Sequence, residues 1–423
     1  MKTIYKTTLK NGLKLVYLHS PTAKTAMVKL TGRAGSIFEK DRLGLAHFLE
    51  HTLFQGSKKY SSAEKLADLV KFYGGRLGGG TSYLTVGFYV EVLKENYEHG
   101  FEFLSELLLN PLFEEEQMER EKKVVMREIN RKFTDPEKYL THLATTKLYR
   151  GTRVEIPSIG TVEQIENISM KEVNNFYNKY YTSGNFVLSV WGDLDKRSLT
   201  KACNKYFAGF KPGKLMPFPK VTNDKAFEVT VEKKSDLKIT YLDIAFPAFD
   251  FRDNRVYSAS FLRNIFGKGV FSRLGKRIRL EQGLSYSVQA SNNSWESSGI
   301  FHLKTSVKSE NLKEVMEIIK EEIVKITTEL LADEEFERLK NNSKFNFVKF
   351  SESTNSYLDF YTDIEIYQRS AKDIESYLNK IEDRTKEDVL AVAKEILTKD
   401  PKITILTPDD INPGTVKEYW LGK

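Results

Sequence analysis

The chain is 423 residues long, 40% hydrophobic and 29% charged, with a formal net charge of +7. That length exceeds one ordinary core and points to roughly two to four domains, and the composition is typical of a soluble globular protein. The positive excess is mild and comes without a basic tail or an aromatic–basic stripe, which argues against nucleic acid as a partner. The single cysteine, Cys203, rules out a disulfide framework within the chain and a cysteine zinc cluster. No stretch approaches the eighteen or so apolar residues of a membrane span. The N-terminus lacks the long apolar core of a signal peptide, so no membrane partner is expected and the cytoplasm is the simplest location.

MKTIYKTTLKNGLKLVYL alternates apolar and polar residues around an Asn-Gly turn and predicts a hairpin; LKLVYLH and AMVKLTG read as strands. A helix is expected around 43–54. A second over SSAEKLADLVKFYGG has a Ser cap, apolar spacing at Leu66, Leu69, Val70 and Tyr73, and a Gly-Gly stop. TSYLTVGFYVEVL reads as a strand, and helices run through YEHGFEFLSELLLN and FEEEQMEREKKVVMREINRKF. A further helix, SMKEVNNFYNKYY, leads into the strand NFVLSVWGD. FAGFKPGKLMPFPKV, residues 207–221, then breaks the pattern with three prolines and two glycines. A linker is placed at 211–222, between domains 1–210 and 223–423.

The second half repeats the order: strands FEVTVEK and KITYLDIAF, a helix near 254–266, the strand pair YSVQASNNSW and GIFHLKTSV, then helices at 309–330 and 333–349. RTKEDVLAVAKEILTKDPKITILTP matches ISMKEVNNFYNKYYTSGNFVLSVWGD as capped helix, short turn and apolar strand. This predicts a duplicated α+β domain.

GLAHFLEHTLFQGS, residues 44–57, sets His47, Glu50 and His51 on an apolar helix. At about 100° per residue the three fall within roughly 100° of arc and share one face. Two imidazoles can chelate one ion with the carboxylate beside it; this is the H-E-x-x-H zinc arrangement in reverse, the inverzincin pattern. The chemistry needs these types. Neutral imidazoles suit zinc, which lowers the pKa of its water towards about 7, and a carboxylate that does not ligate can take that proton and pass it to a leaving amine. The alternative is a surface helix with unrelated histidines, but a core helix rarely carries three ionisable groups on one face without a function.

A catalytic zinc site takes a third protein ligand. His99, His142 and His302 are candidates, as are many carboxylates. On the helix over 114–132, Met118, Glu121, Val125 and Glu128 recur at i, i+3, i+7 and i+10, so Glu121 and Glu128 interrupt an apolar stripe. They lie roughly 10 Å apart along the axis. Glu114, Glu115, Glu116 and Glu119 crowd the first turns, where the helix dipole favours negative charge. The pattern leaves open which of Glu121 and Glu128 ligates; the alternative for the pair is salt-bridging to nearby Lys or Arg.

HFLEH, His47 to His51, followed by EREKKVVMRE, which contains Glu121 and Glu128, resembles the M16 metallopeptidases. These include the mitochondrial processing peptidases, insulin-degrading enzyme and pitrilysin. The likeness spans nearly the whole chain: the opening strand with Asn-Gly, the helix after it, IPSIGTVEQI and YYTSGNFVLSVWGD. It implies an α+β fold of two tandem homologous domains, each a mainly antiparallel sheet packed by helices in a half-clamshell. It further implies one Zn2+ per chain held by His47, His51 and Glu128, with Glu50 as general base and Glu121 supporting a ligand. In IRLEQGLSYSV, Arg279 and Tyr286 stand seven apart. In the family this pair approaches the scissile carbonyl, where a cation and a phenol stabilise an oxyanion.

Many family members split these parts between two chains, whereas this chain has both. That implies a homodimer in which Arg279 and Tyr286 serve the other chain's zinc; a hetero-partner of the same family is the other arrangement. The chain departs from the family at GGRLGGGTSYLT, where Thr81 is kept but Gly78 and Gly79 replace Asn-Ala on the strand that holds the substrate backbone. A lost amide removes a hydrogen bond, typically about 1 kcal/mol net. The expected function is a zinc endopeptidase cutting short or unfolded peptides in an enclosed chamber. The alternative is a silent or weak subunit of the same fold that acts as a structural or substrate-binding partner.

Overall fold

The computed structural model describes residues 3–40, 43–267, 269 and 272–422. The first half runs β1 (Thr3–Thr8), β2 (Lys14–His19), β3 (Thr25–Gly32), α1 (Leu45–Leu53), α2 (Ala63–Phe72), β4 (Arg76–Thr81) and β5 (Val86–Leu93). It continues through α3 (Tyr97–Leu109), α4 (Glu115–Lys132), α5 (Pro136–Leu148), α6 (Val162–Glu166), α7 (Met170–Tyr180), β6 (Phe186–Gly192) and α8 (Lys196–Phe207). The second half runs β7 (Glu228–Lys233), β8 (Thr240–Ala248), α9 (Arg255–Gly267), β9 (Ser285–Trp295), β10 (Ser298–Val307), α10 (Leu312–Thr328) and α11 (Asp333–Glu352). It ends with α12 (Thr354–Tyr367), α13 (Ile374–Glu382), α14 (Lys386–Leu397), β11 (Lys402–Thr407) and α15 (Pro413–Leu421).

Local chemistry explains the boundaries. Gly12, at φ +87°, turns the β1–β2 hairpin where Asn-Gly predicts it. Ser169 and Glu172 close a capping box on α7, and Thr385 and Asp388 do the same on α14, so the matched helix–strand endings start alike. TSYLTVGFYVEVL is not one strand. Ser82 Oγ accepts from Leu84 N and Thr85 N and folds the chain into a β4–β5 hairpin. The glycine run of β4 is a poor strand former on its own; its ladder to β5 holds it extended.

Two sheets result, ordered β1-β2-β6-β3-β5-β4 and β7-β11-β8-β10-β9. β2 runs parallel to β6 and β7 parallel to β11, and every other adjacent pair is antiparallel. Without β1 the two orders superimpose strand for strand, so the duplication is a property of the fold. In the first sheet, Val28, Leu30, Leu188 and Val190 are fully buried at the centre. In the second, Leu242, Ile244 and Phe246 pack with Phe261, Leu262, Ile319 and Val392.

The two compact units are not contiguous stretches of sequence. One comprises Met1–Arg131, Ile156–Pro219 and Ser351–Gln368; the other comprises Lys132–Glu155, Lys220–Phe350 and Arg369–Lys423. This differs from a division at 1–210 and 223–423. A sheet has two faces to cover, and in each unit one cover is a helix from the other half of the chain. In the first unit α12 packs on β6, β2 and β3, with the Ser189 and Thr362 hydroxyls 2.6 Å apart and Lys29 Nζ donating to Asp359 at 2.6 Å. In the second, α5 packs on β8 and β11, with Lys304 Nζ donating to Thr141 Oγ1 at 3.1 Å. Helical periodicity carries no address for the sheet a helix will cover.

The expected linker is likewise held to the first unit as far as Pro219. Met216 N donates to Asn185 Oδ1 at 3.0 Å, and the buried Arg33 donates through Nη1 to Met216 O at 2.8 Å. Asn185, fully buried, also donates to Arg33 O and Tyr180 O at 2.9 and 2.8 Å. One amide therefore joins the end of β3, the end of α7 and the segment after α8. We expect Asn185→Ala to destabilise the protein by about 2–4 kcal/mol, because it strands buried polar groups. Chemical denaturation checks this, and a change below about 0.5 kcal/mol would remove Asn185 from that role.

Candidate metal centre

Helix α1 has only nine residues, and its start is pinned from outside. Glu39, 6% exposed, accepts from Gly44 N at 2.9 Å and from Ala46 N at 2.7 Å, putting a carboxylate on the positive end of the helix. Gly44, at φ +88°, lies against Gly160, where a Cβ on either would press into backbone. Leu45, Ala46, Phe48, Leu49 and Leu53 are buried, and His47 and Glu50 are buried with them at 9% and 8% exposure. A helix over 43–54 was expected, and the metal-binding pattern lies wholly within it. Glu39 carries no motif, Gly160 lies in IPSIGTVEQI, and the folded chain brings both to α1.

Helix α4 supplies the opposite side. Glu128 Oε2 lies 3.8 Å from His47 Nε2 and 3.4 Å from His51 Nε2, and one ligand atom from each residue lies within 4.8 Å of the others. Four-coordinate zinc with bonds of 2.0–2.1 Å needs ligand–ligand edges of about 3.3 Å, so this donor set fits a tetrahedral ion with little adjustment. Glu121 stands apart from this set; its Oε2 lies 3.0 Å from His51 Nδ1, which turns Nε2 towards the convergence point. Seven residues apart on α4, the two carboxylates thus grip one imidazole from its two nitrogens. The other histidines are engaged elsewhere: His99 stacks on Tyr73, while His142 and His302 belong to the second unit, where His302 Nδ1 lies 2.9 Å from Asp243 Oδ2.

Glu50 stands beside this set without joining it. Thr81 Oγ1, at the end of β4, donates to Glu50 Oε2 at 2.7 Å. Burial pushes the Glu50 carboxyl above its ordinary range, with the Thr81 hydrogen bond and His51 pulling back and Glu128 adding to the rise. Burial alone would lower His51, but the Glu121 hydrogen bond and the Glu50, Glu121 and Glu128 charges outweigh it and raise its pKa. A cation at the convergence point would relieve both pressures.

Gly78 and Gly79 lie on β4 with their side-chain space already filled. A Cβ on Gly79 would lie 2.8 Å from the Phe54 ring and 3.1 Å from Glu50 Oε1, and one on Gly78 would lie 2.8 Å from the Tyr89 ring. Asn-Ala would not enter here without moving both rings. Arg279 is exposed on a π-helical turn over Gly275–Glu281 in the second unit. Tyr286 is on β9, and its side chain lies outside the described residues.

Residues 14–162 match the family described as "Insulinase (Peptidase family M16)", and residues 167–343 match "Peptidase M16 inactive domain". The chain belongs to the M16 peptidase family. A relative in Bacillus subtilis, described as "Uncharacterized zinc protease YmxG", is 25% identical over 97% of this chain and 100% of its own length. In Arabidopsis thaliana, a "Probable mitochondrial-processing peptidase subunit beta, mitochondrial" is 26% identical over 98% of this chain and 81% of its own. Among solved structures, a protease from Helicobacter pylori shares the fold with a TM-score of 0.87 at 21% identity, covering 96% of this chain and 100% of that one. The match described as an inactive domain starts at residue 167, beyond His47, His51 and Glu128, which lie within the 14–162 match.

Metal binding must displace a proton from His51, whose pKa is raised above the ordinary 6.5. Zinc affinity should therefore begin to fall at a pH above 6.5 as acid is added. Glu121→Gln removes the charge that raises His51, so the onset should move to lower pH while affinity at high pH drops by about 10–100-fold. Competition with a chromogenic chelator across pH measures both, and an onset indifferent to Glu121→Gln would contradict the assignment.

Proposed function

We propose that this M16 chain is a zinc-dependent endopeptidase that hydrolyses short or unfolded peptides, with one Zn2+ per chain held by His47, His51 and Glu128. The observation that carries this is the convergence of those three donors beside a buried carboxylate that ligates nothing. A bound zinc would lower the pKa of its water and polarise the peptide carbonyl. The protein's own groups do the rest. Glu50, its pKa raised by burial, takes the proton from the attacking water and delivers it to the leaving amine nitrogen. Thr81 keeps Glu50 Oε2 in place, and Glu121 holds the His51 ring in orientation.

The substrate backbone is proposed to add as a strand to the outer edge of β4, the last strand of its sheet, which ends in Thr81 beside Glu50. Arg279 and Tyr286 are proposed as the oxyanion-stabilising pair, supplied in a homodimer by the partner's second unit. A silent or weak subunit is the alternative reading, and the complete ligand set counts against it.

Glu50→Gln should keep its zinc and lose turnover by about 10²–10⁴-fold on an unstructured peptide mixture whose cuts are mapped by mass spectrometry. Wild-type protein that binds zinc but makes no chelator-sensitive cuts would instead be a silent subunit. Mixing His51→Ala with Tyr286→Phe protein should restore part of the activity, since hybrid dimers would contain one intact site. Absence of recovery, with subunit exchange demonstrated, would rule out the arrangement across subunits.

A further inference from the structure

We propose that Tyr89 is a specificity-determining residue: reaching across Gly78, it selects an aromatic or large aliphatic side chain on the substrate strand, next in sequence to the residue that faces the metal side. This rests on the reading of β4 as the edge to which substrate is added.

The two faces of the β4–β5 hairpin differ. Phe88 and Val90 of β5 are buried on the face that carries α1 and α3, where Gly79 meets Phe54 and Glu50 and where Thr81 meets Glu50. Tyr89 and Glu91 point the other way and are half-buried. On that second face the register pairs Arg76 with Glu91, Gly78 with Tyr89 and Gly80 with Gly87. It therefore presents in sequence an ion pair, a tyrosine ring and a bare position. Arg76 Nε donates to Glu91 at 2.8 Å. A Cβ on Gly80 would meet nothing within 4 Å, and one on Gly87 nothing nearer than 3.7 Å.

Tyr89 spans the gap between its own strand and the next. Its Cε1, Cζ and hydroxyl oxygen lie 2.8, 2.9 and 2.9 Å from the place a Gly78 Cβ would take, so the ring tip lies over the β4 backbone. An added strand runs about 4.8 Å further out, and its residue opposite Gly78 carries a Cβ about 4.5–5.5 Å from that same place. That side chain meets the Tyr89 ring directly and has the open space over Gly80 and Gly87 beside it. Any residue larger than glycine at 78 would close off this contact. Apolar stacking on the ring favours a large apolar or aromatic group, the open space admits it, and the ion pair bounds the site at its other end.

Two measurements on the full chain test this. In the first, zinc-loaded wild-type protein cuts an unstructured peptide mixture, and Tyr89→Ala and Gly78→Ala proteins with verified zinc content cut the same mixture. Wild type should show an enrichment of about tenfold for Phe, Tyr, Leu or Ile at one fixed subsite, and both variants should flatten it. Unchanged enrichment in Tyr89→Ala would overturn the proposal while leaving the peptidase reading intact. In the second, ten-residue Gly/Ser peptides with a single Phe walked through each position are bound to Glu50→Gln and to Glu50→Gln/Tyr89→Ala, read by fluorescence anisotropy without turnover. One Phe position should bind about tenfold tighter to the first protein than to the second. Equal binding, or none, would overturn the role of Tyr89 whether or not the wild type cleaves. Loss of cleavage alone, with the Phe preference retained in binding, would overturn the peptidase reading and keep the subsite.

Discussion

Everything at the centre follows from the charge that α1 and α4 bury together. Three carboxylates, Glu50 buried, Glu121 half-buried and Glu128 partly exposed, surround two imidazoles, and a carboxylate taken from water without a cation costs several kcal/mol. The arrangement answers this in steps. Glu121 and Glu128 share the two nitrogens of His51, and Thr81 satisfies one oxygen of Glu50. The remaining negative excess is concentrated where three donors converge, which is the place a dication would neutralise it. The rigidity of α1 serves the same end. Glu39 and the Gly44–Gly160 contact hold a nine-residue helix that could not persist alone in water.

The second unit shows what the same architecture does without that charge. α9 follows β8 as α1 follows β3, and α11 follows α10 as α4 follows α3. Between α9 and α11 stands a neutral hydrogen bond, Asn264 Nδ2 to Ser343 Oγ at 3.0 Å, among Phe261, Leu262, Phe336 and Leu339. Between α1 and α4 stands His51 to Glu121 at 3.0 Å. The helix pair is a shared packing device, and among the described residues the His–Glu cluster lies on one copy. The exchange of α5 and α12 follows the same duplication. Each comes directly after a corresponding helix, α4 or α11, and each covers a sheet face in the other half's unit.

The glycines of β4 connect the centre to the sheet edge. They weaken the strand's own propensity, and the hairpin with β5 makes good the loss through its ladder. In return, two rings fill the space that side chains would occupy, Phe54 on the metal-facing side and Tyr89 on the other. A large ring over a strand glycine restores packing that the glycine forfeits. Gly78 to Gly80 thus leave that stretch of β4 without side chains of its own beside Glu50.

Much of this was legible in the chain itself. His47, Glu50 and His51 lie within one helical turn and a half, and Glu121 and Glu128 follow a heptad interval, so periodicity alone sets each group on its face. The strand order and the paired helix–strand endings likewise show the duplication, because hydrophobic alternation and capping are local. What the pattern left open was which of Glu121 and Glu128 approaches the ion; a face can be read from spacing, but a distance across a helix pair cannot. The turn at the start of TSYLTVGFYVEVL shows no Gly or Pro; Ser82 closes it, its hydroxyl accepting from Leu84 N and Thr85 N and its N donating to Thr85 O. Glu39 and Tyr89 carried no signal, because each acts on residues brought near only by folding. Spacing along the chain already sets the candidate donors on their faces and shows the repeated fold. Which sheet α5 and α12 cover, and the distances that set Glu128 against both imidazoles and Glu121 against His51 Nδ1, depend on which surfaces meet across long stretches of chain.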